Sequence, residues 1–260
     1  MIKSTTIKYV FGALALSAVL PIAAQAAVVT WDGGGGDTSW INGANWSNNA
    51  VPTNADQVTI GNGFTVDYDV TTSNGTIPPT MLNVDGTLNL TVTTRAGGRT
   101  INVGATGSIT GSGFFDLNGG TFTFENGADV STTEWEQKGT NIFSYNLGAS
   151  GFQTLTPGAF RFGGGATIAN ATYNVDMLNY TGGVGVVTLM DFGSDAGSMD
   201  NATFQGAGGL NVLNNGGYTA NLQWNDTTEA IELNITAVPE PSSAALLGLG
   251  GVALILRRRK

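Results

Sequence analysis

The sequence predicts an all-β chain built as a right-handed parallel β-solenoid, and three observations carry that expectation. Glycine recurs ahead of β-forming residues at Gly63, Gly86, Gly107, Gly127, Gly148 and Gly165, at intervals of 23, 21, 20, 21 and 17 residues. That is the length of one coil made of about three short strands and their turns. Apolar and polar residues alternate within the coils, as in Thr87-Leu88-Asn89-Leu90-Thr91-Val92 and Thr121-Phe122-Thr123-Phe124, so one face of each strand points inward. No stretch of the central region carries a convincing amphipathic helix; the charged segment 132–138 is long enough for a single turn. The rival arrangement is an antiparallel sandwich with hairpins at Asp85-Gly86, Asn118-Gly119 and Asn126-Gly127, which are strong hairpin dipeptides. Against it, twenty residues is longer than the usual spacing of sandwich strands.

The first element is residues 1–26. Lys3 and Lys8 precede an uncharged run, and Ala24-Gln25-Ala26 is a small-x-small site, so this is a secretory signal peptide cleaved after Ala26. Residues 27–62 follow as a Trp- and Gly-rich cap. Trp31, Trp40 and Trp46 lie among Gly, Asn and Asp, with short strands expected at 28–31 and 57–60. The tryptophans fit two roles: folding over the exposed edge of the first coil, which any open solenoid must cover, or stacking on sugar rings. The order Trp31-Asp32-Gly33-Gly34-Gly35, Trp40, Asn45-Trp46, Val51-Pro52 and Asp56-x-Val58-x-Ile60 resembles the opening of secreted autotransporter-like and PEP-CTERM repeat proteins.

Residues 63–169 form the repeats. Leu88, Ile109 and Val130 are expected to stack from coil to coil, while Asn83, Asn102, Asn118 and Asn126 are expected at tight corners. In the C-terminal β region, 170–237, the rhythm loosens. Strands are expected at 172–176, 184–192, 209–212, 218–224 and 230–235, the last two as a hairpin that closes the solenoid with antiparallel strands.

The last element, 238–260, has three parts: Val238-Pro239-Glu240-Pro241-Ser242-Ser243, an apolar run from 244 to 256, and Arg257-Arg258-Arg259-Lys260. The prolines keep the first part extended and accessible. The apolar run reads as a short transmembrane helix, and the four cations keep its end on the cytoplasmic side. This order resembles the PEP-CTERM sorting signal of Gram-negative bacteria. The resemblance implies that a membrane enzyme, an exosortase, recognises Pro239, Glu240 and Pro241 and removes the tail. It further implies an inner-membrane-anchored precursor whose mature form reaches the cell surface or an extracellular polysaccharide matrix.

Setting both ends aside leaves Arg95, Arg99, Lys138 and Arg161 against 18 acidic residues, a balance of −14. Such a domain repels nucleic acid, and neutral polysaccharide or calcium suits it better. The chain has no Cys and no His, which removes disulfides, Ser-His-Asp triads and His-bearing metal sites. Asp67-x-Asp69 and Glu134-x-Glu136 each place two carboxylates on one side of a strand, which suits glycoside hydrolysis, calcium or simply a solvated face. Asp191, Asp195 and Asp200 are calcium-friendly without matching a known loop, so a bound Ca²⁺ is a weak expectation and no other cofactor is implied. Arg95 and Arg99 are the candidates for a lyase base, or the cations of a turn. The expected function is that of an exported, non-enzymatic surface or matrix protein with a structural or adhesive role beside exopolysaccharide. The alternatives are a polysaccharide lyase or glycosidase on the same scaffold, or a carbohydrate-binding module.

Overall fold

The computed structural model describes residues 27–70, 75–163, 167, 170–193, 200–207 and 209–237. The signal peptide with Ala24 and Ala26, the coil-opening Gly165, Asp195, and the whole tail from Val238 to Lys260 lie outside the described residues.

In chain order the strands are β1 (Val28–Thr30), β2 (Gln57–Ile60), β3 (Thr65–Tyr68), β4 (Gly75–Thr76), β5 (Met81–Val84), β6 (Thr87–Leu90), β7 (Thr94–Arg95), β8 (Arg99–Val103), β9 (Ser108–Glu125) and β10 (Asp129–Asn146). Then come β11 (Phe160–Phe162), β12 (Ala171–Asp176), β13 (Gly185–Asp191), a short helix α1 (Asn201–Gln205), β14 (Leu210–Leu213), β15 (Thr219–Asn225) and β16 (Ala230–Ala237). Among the described residues no helix is long and apolar enough to cross a membrane.

These strands wind into about five turns of a three-faced parallel column. The first face runs β1-β2-β5-β8-β9-β10-β12-β14. The second stacks β3, β6 and the opening parts of β9 and β10. The third stacks β4, β7, the middle parts of β9 and β10, and β11. The long strands β9 and β10 each turn two corners without losing their pairing, with register shifts at Thr132/Glu134 and Lys138/Asn141. Segment 132–138, long enough for a single helical turn, is strand.

Val58, Leu82, Ile101, Phe122 and Phe143 stand one above another at offsets of 24, 19, 21 and 21 residues. On the second face Val66, Leu88, Ile109 and Val130 stack in register and are fully buried, as their sequence spacing implies. All of these registers are parallel, which rules out the sandwich. Asp85-Gly86, Asn118-Gly119 and Asn126-Gly127 sit at coil corners and make no hairpins. Gly86 and Gly107 are needed for a different reason from hairpin geometry: a Cβ there would collide with the backbone oxygens of Gly61 and Val84 in the coil beneath. At Gly86 and Gly107, and at Gly127 over Ala105 O, the glycine is thus the point where one coil's corner rests on the last.

Asn83 and Asn102 do not turn corners. They are mid-strand and outward, and Asn102 Nδ2 donates to Asn83 Oδ1 at 2.9 Å, one link of a side-chain ladder continued where Asn211 donates to Asn174. Asn118 and Asn126 likewise keep negative φ; the left-handed residues beside them are Gly119 and Gly127.

The interior changes character along the column. The early coils are filled by Val, Leu and Ile, the later ones by stacked rings: Phe122 on Phe143 at 5.3 Å, Phe143 on Tyr173 at 5.2 Å and Phe124 on Tyr145 at 5.7 Å. Beyond β10 the first face lengthens its step to 30 residues, from Phe143 to Tyr173. Part of that chain lays down Leu155 as one more rung of the second face, bridged in parallel to Met190 of β13. The other edge of β13 pairs antiparallel with β16, which pairs with β15. Here β13 converts the parallel column into an antiparallel three-stranded sheet. Helix α1, N-capped by the Asp200 carboxylate, drives Phe204 against Tyr173 beneath that sheet.

Candidate functional site

The third face gathers the charges. Register places Thr76, Arg95, Asp116, Glu136 and Arg161 in one row, each a coil apart. Asp116 is 1 % exposed, and its Oδ2 accepts from Arg95 Nε at 2.9 Å and from Lys138 Nζ at 3.1 Å. Its Oδ1 is buried without a hydrogen-bond partner among the described residues. Lys138 also pairs with Glu136, while Arg161 reaches Glu134 and, at 3.7 Å, Glu136. The Arg161 guanidinium also lies 4.9 Å from the ring centre of Phe114. Partial burial works against the Lys138 ammonium, but its hydrogen bonds to Glu136 and Asp116 outweigh that and hold its pKa above the ordinary value.

Three of the domain's four cations are thereby matched to three carboxylates. Arg95 and Arg99 do not act as a pair, because Arg99 Nε instead donates to Ile77 O at 3.0 Å. Sequence reading found Glu134, Glu136 and Arg95 separately and missed Asp116, Lys138 and Arg161 as their partners. The missing signal was the coil period itself: Arg95 and Asp116 are one repeat apart.

The other acid pair has a different task. Asp67 accepts from Thr38 Oγ1 and from Asn89 Nδ2, and Asp69 accepts from Ser39 Oγ and from Ile41 N. These carboxylates tie the loop 37–41 to the first coil. Asp200 is occupied as the cap of α1. Among the described residues no three acids converge as they would around a metal ion.

At the N-terminal end, Trp31, Trp40 and Trp46 pack edge to face, with ring centres 4.8 Å apart in both contacts, and Trp40 meets Tyr68 at 5.2 Å. Their exposures are 2 %, 0 % and 0 %. Stacking on a sugar needs an open ring face, so the sugar-stacking role is overturned for all three. What the cluster does is close the column: Trp40 N donates to Asp67 O and Asp67 N to Thr38 O along β3, while Ser47 N donates to Thr30 O along β1. Asn45, fully buried, binds Gly35 N and Asp37 from the centre of the loop.

The PEP-CTERM protein-sorting motif matches residues 237–260. No curated protein and no solved structure matches the chain. The match begins at Ala237, the last residue of β16 and the last described residue.

Proposed function

We propose that this chain is an exported, non-enzymatic structural protein of the cell surface or extracellular matrix, held first as a membrane-anchored precursor and released or retained by exosortase-type processing of its tail. The observation that carries this is the sorting motif beginning at Ala237, the last residue of β16, in a chain whose described residues build a parallel β-column. The third-face charges support a structural rather than a catalytic role, since Lys138 is held as a cation and cannot serve as a base while paired. The matrix component that suits the domain is a neutral polysaccharide. An acidic one is repelled by the balance of −14, whereas Asn83, Asn102, Asn174 and Asn211 offer amides along an uncharged row. Retention on acidic but not on neutral polysaccharide beads would reverse that choice.

Replacing Pro239, Glu240 and Pro241 with Ala tests the sorting. Export proceeds, because the leader is untouched, and the domain folds, because its strands end at Ala237. The variant accumulates at full length in the membrane fraction, whereas the unaltered chain loses the mass of about its last two dozen residues, the span of the matched motif. Normal processing of the variant, or intact Lys260 on the protein in cells that hold the sorting enzyme, overturns the proposal.

A further inference from the structure

We propose that the end of the fold from which β16 leads into the sorting signal is a lipid-facing surface, which seats the domain on the bilayer interface while the tail is attached. This rests on the membrane-anchored precursor proposed above and adds to it an orientation and a contact.

Four large apolar side chains stand in solvent at this end: Leu178 at 72 %, Val184 at 62 %, Val186 at 54 % and Leu213 at 43 % exposure. The fold gathers them. Met177 N donates to Leu213 O, which brings the 178 segment beside the end of β14. Tyr180 and Tyr218 meet edge to face at 5.2 Å, and Tyr218 Oη donates to Gly182 O, which joins the loop before β13 to the loop before β15. Gly185 pairs with Ile235, Val186 with Asn234 and Thr219 with Ala237, so the exposed valines flank the point where the chain leaves the domain.

The same segments are free of charge. Residues 177–190, 209–225 and 233–237 contain no Asp, Glu, Lys or Arg, in a domain whose balance is −14. Asp176, opposite Leu213 in the register, is the carboxylate at this end and is engaged by Leu178 N and Asn214 Nδ2. Headgroup repulsion of the acidic faces decays over a Debye length of about 10 Å at ~0.1 M salt. An end so poor in charge is therefore the one that can approach a lipid surface closely.

Chain length supplies the occupant. Six residues, 238–243, separate Ala237 from the apolar run. Extended around two prolines they reach roughly 20–25 Å. With the apolar run in the bilayer, the interface lies within that distance of Ala237, three residues beyond the Asn234 that pairs with Val186. Branched aliphatic side chains with tyrosines behind them suit the boundary between headgroups and acyl chains.

The chain contains no cysteine, which makes single-site labelling direct. Val184→Cys, Leu178→Cys and, at the opposite end, Val28→Cys, which is also apolar and 67 % exposed, each in the chain from Ala27 to Lys260 without the leader, are labelled with an environment-sensitive fluorophore. Each is reconstituted into phosphatidylcholine vesicles carrying a headgroup nitroxide lipid. The labels at 178 and 184 are expected to be blue-shifted and quenched several-fold more than the label at 28, and adding Val186→Asp to Val184→Cys should remove most of that difference. Co-flotation with equal quenching at all three sites overturns the lipid-facing surface and leaves the anchored precursor standing. Failure to co-float overturns both. Burial of the 184 label only in vesicles that contain the processing enzyme reassigns the surface to a protein contact and overturns the lipid proposal.

Discussion

At the N-terminal end the open edges of β1 and β3 are covered by an irregular loop, 31–47, that is held by carboxylates and amides: Asp37 on Asn42 and Asn45, Asp67 on Thr38, Asp69 on Ser39. At the C-terminal end the second face passes through Leu155 into the antiparallel β13-β16-β15 sheet, with Phe204, Leu222, Trp224, Ile231, Leu233 and Ile235 buried there, while β14 and β11 end their faces without a further strand among the described residues. Both ends must hide a stack of unpaired parallel edges from other chains. One does it with a polar knot sealed by three indoles. The other does it on the second face with apolar area and regular pairing, and its outer rim is poor in charge, with Asp176 as a hydrogen-bonded carboxylate. The difference teaches that closing a solenoid constrains the backbone edge much more than the side chains that cover it, so each end was free to take on a second task. At the C-terminal end that task is to present the sorting signal.

The comparison presumes a column that couples the two ends. Ile109→Asp places an unpaired charge between Leu88 and Val130, at a cost of more than about 4 kcal/mol. Both ends should be lost together, seen as coincident denaturant transitions from Trp31, Trp40 and Trp46 on one side and Trp224 on the other. Separate transitions would show that the ends are independent units.

Smaller changes should separate the ends. Leu233→Ala, in the buried face of β16, should cost about 2–5 kcal/mol through lost burial and a cavity. Its first effect should appear in Trp224 emission. Asn45→Ala orphans Gly35 N and removes one of the hydrogen bonds to Asp37, at about 1–3 kcal/mol, and its first effect should appear in the N-terminal tryptophans. If both variants perturb the same indoles first, the contrast between a polar and an apolar closure is wrong.

The smallest effect is one of pH. Hydrogen bonds from Asn45, then Asn42 and the Ser39 amide, lower the Asp37 pKa below its ordinary 3.8, against a weak opposing burial effect. Its contribution is present above the unfolded value and is lost as pH falls through the lower folded value. Titration from about pH 5 to about pH 2 should loosen the N-terminal tryptophans before Trp224, and Asp37→Asn should flatten that difference.

Local pattern was enough for the coil. The stack of Leu88, Ile109 and Val130 follows from alternation plus a constant step, because a parallel coil must repeat its inward positions. The hairpin β15-β16 was legible for a related reason, two alternating runs joined by a short polar turn. Asp67-x-Asp69 was legible only as two acids on one side of a strand. Its role depends on Thr38 and Ser39, about thirty residues earlier in a loop without any period. The tryptophans were open to two readings because an indole's composition and spacing are the same whether its face is covered or bare.

By itself the sequence determined the all-β class, the coil length of about twenty residues, the acidic balance and the sorting signal, since each resides in residues close together or in a strict repeat. Tertiary structure alone decided that Asp116 sits between Arg95 and Lys138, that the three indoles are sealed, and that Leu178, Val184, Val186 and Leu213 share one rim with Asp176. Those facts depend on which coil corner meets which loop and on how β13 joins the parallel column to the antiparallel sheet. Such meetings arise from long-range packing and leave no mark on neighbouring residues.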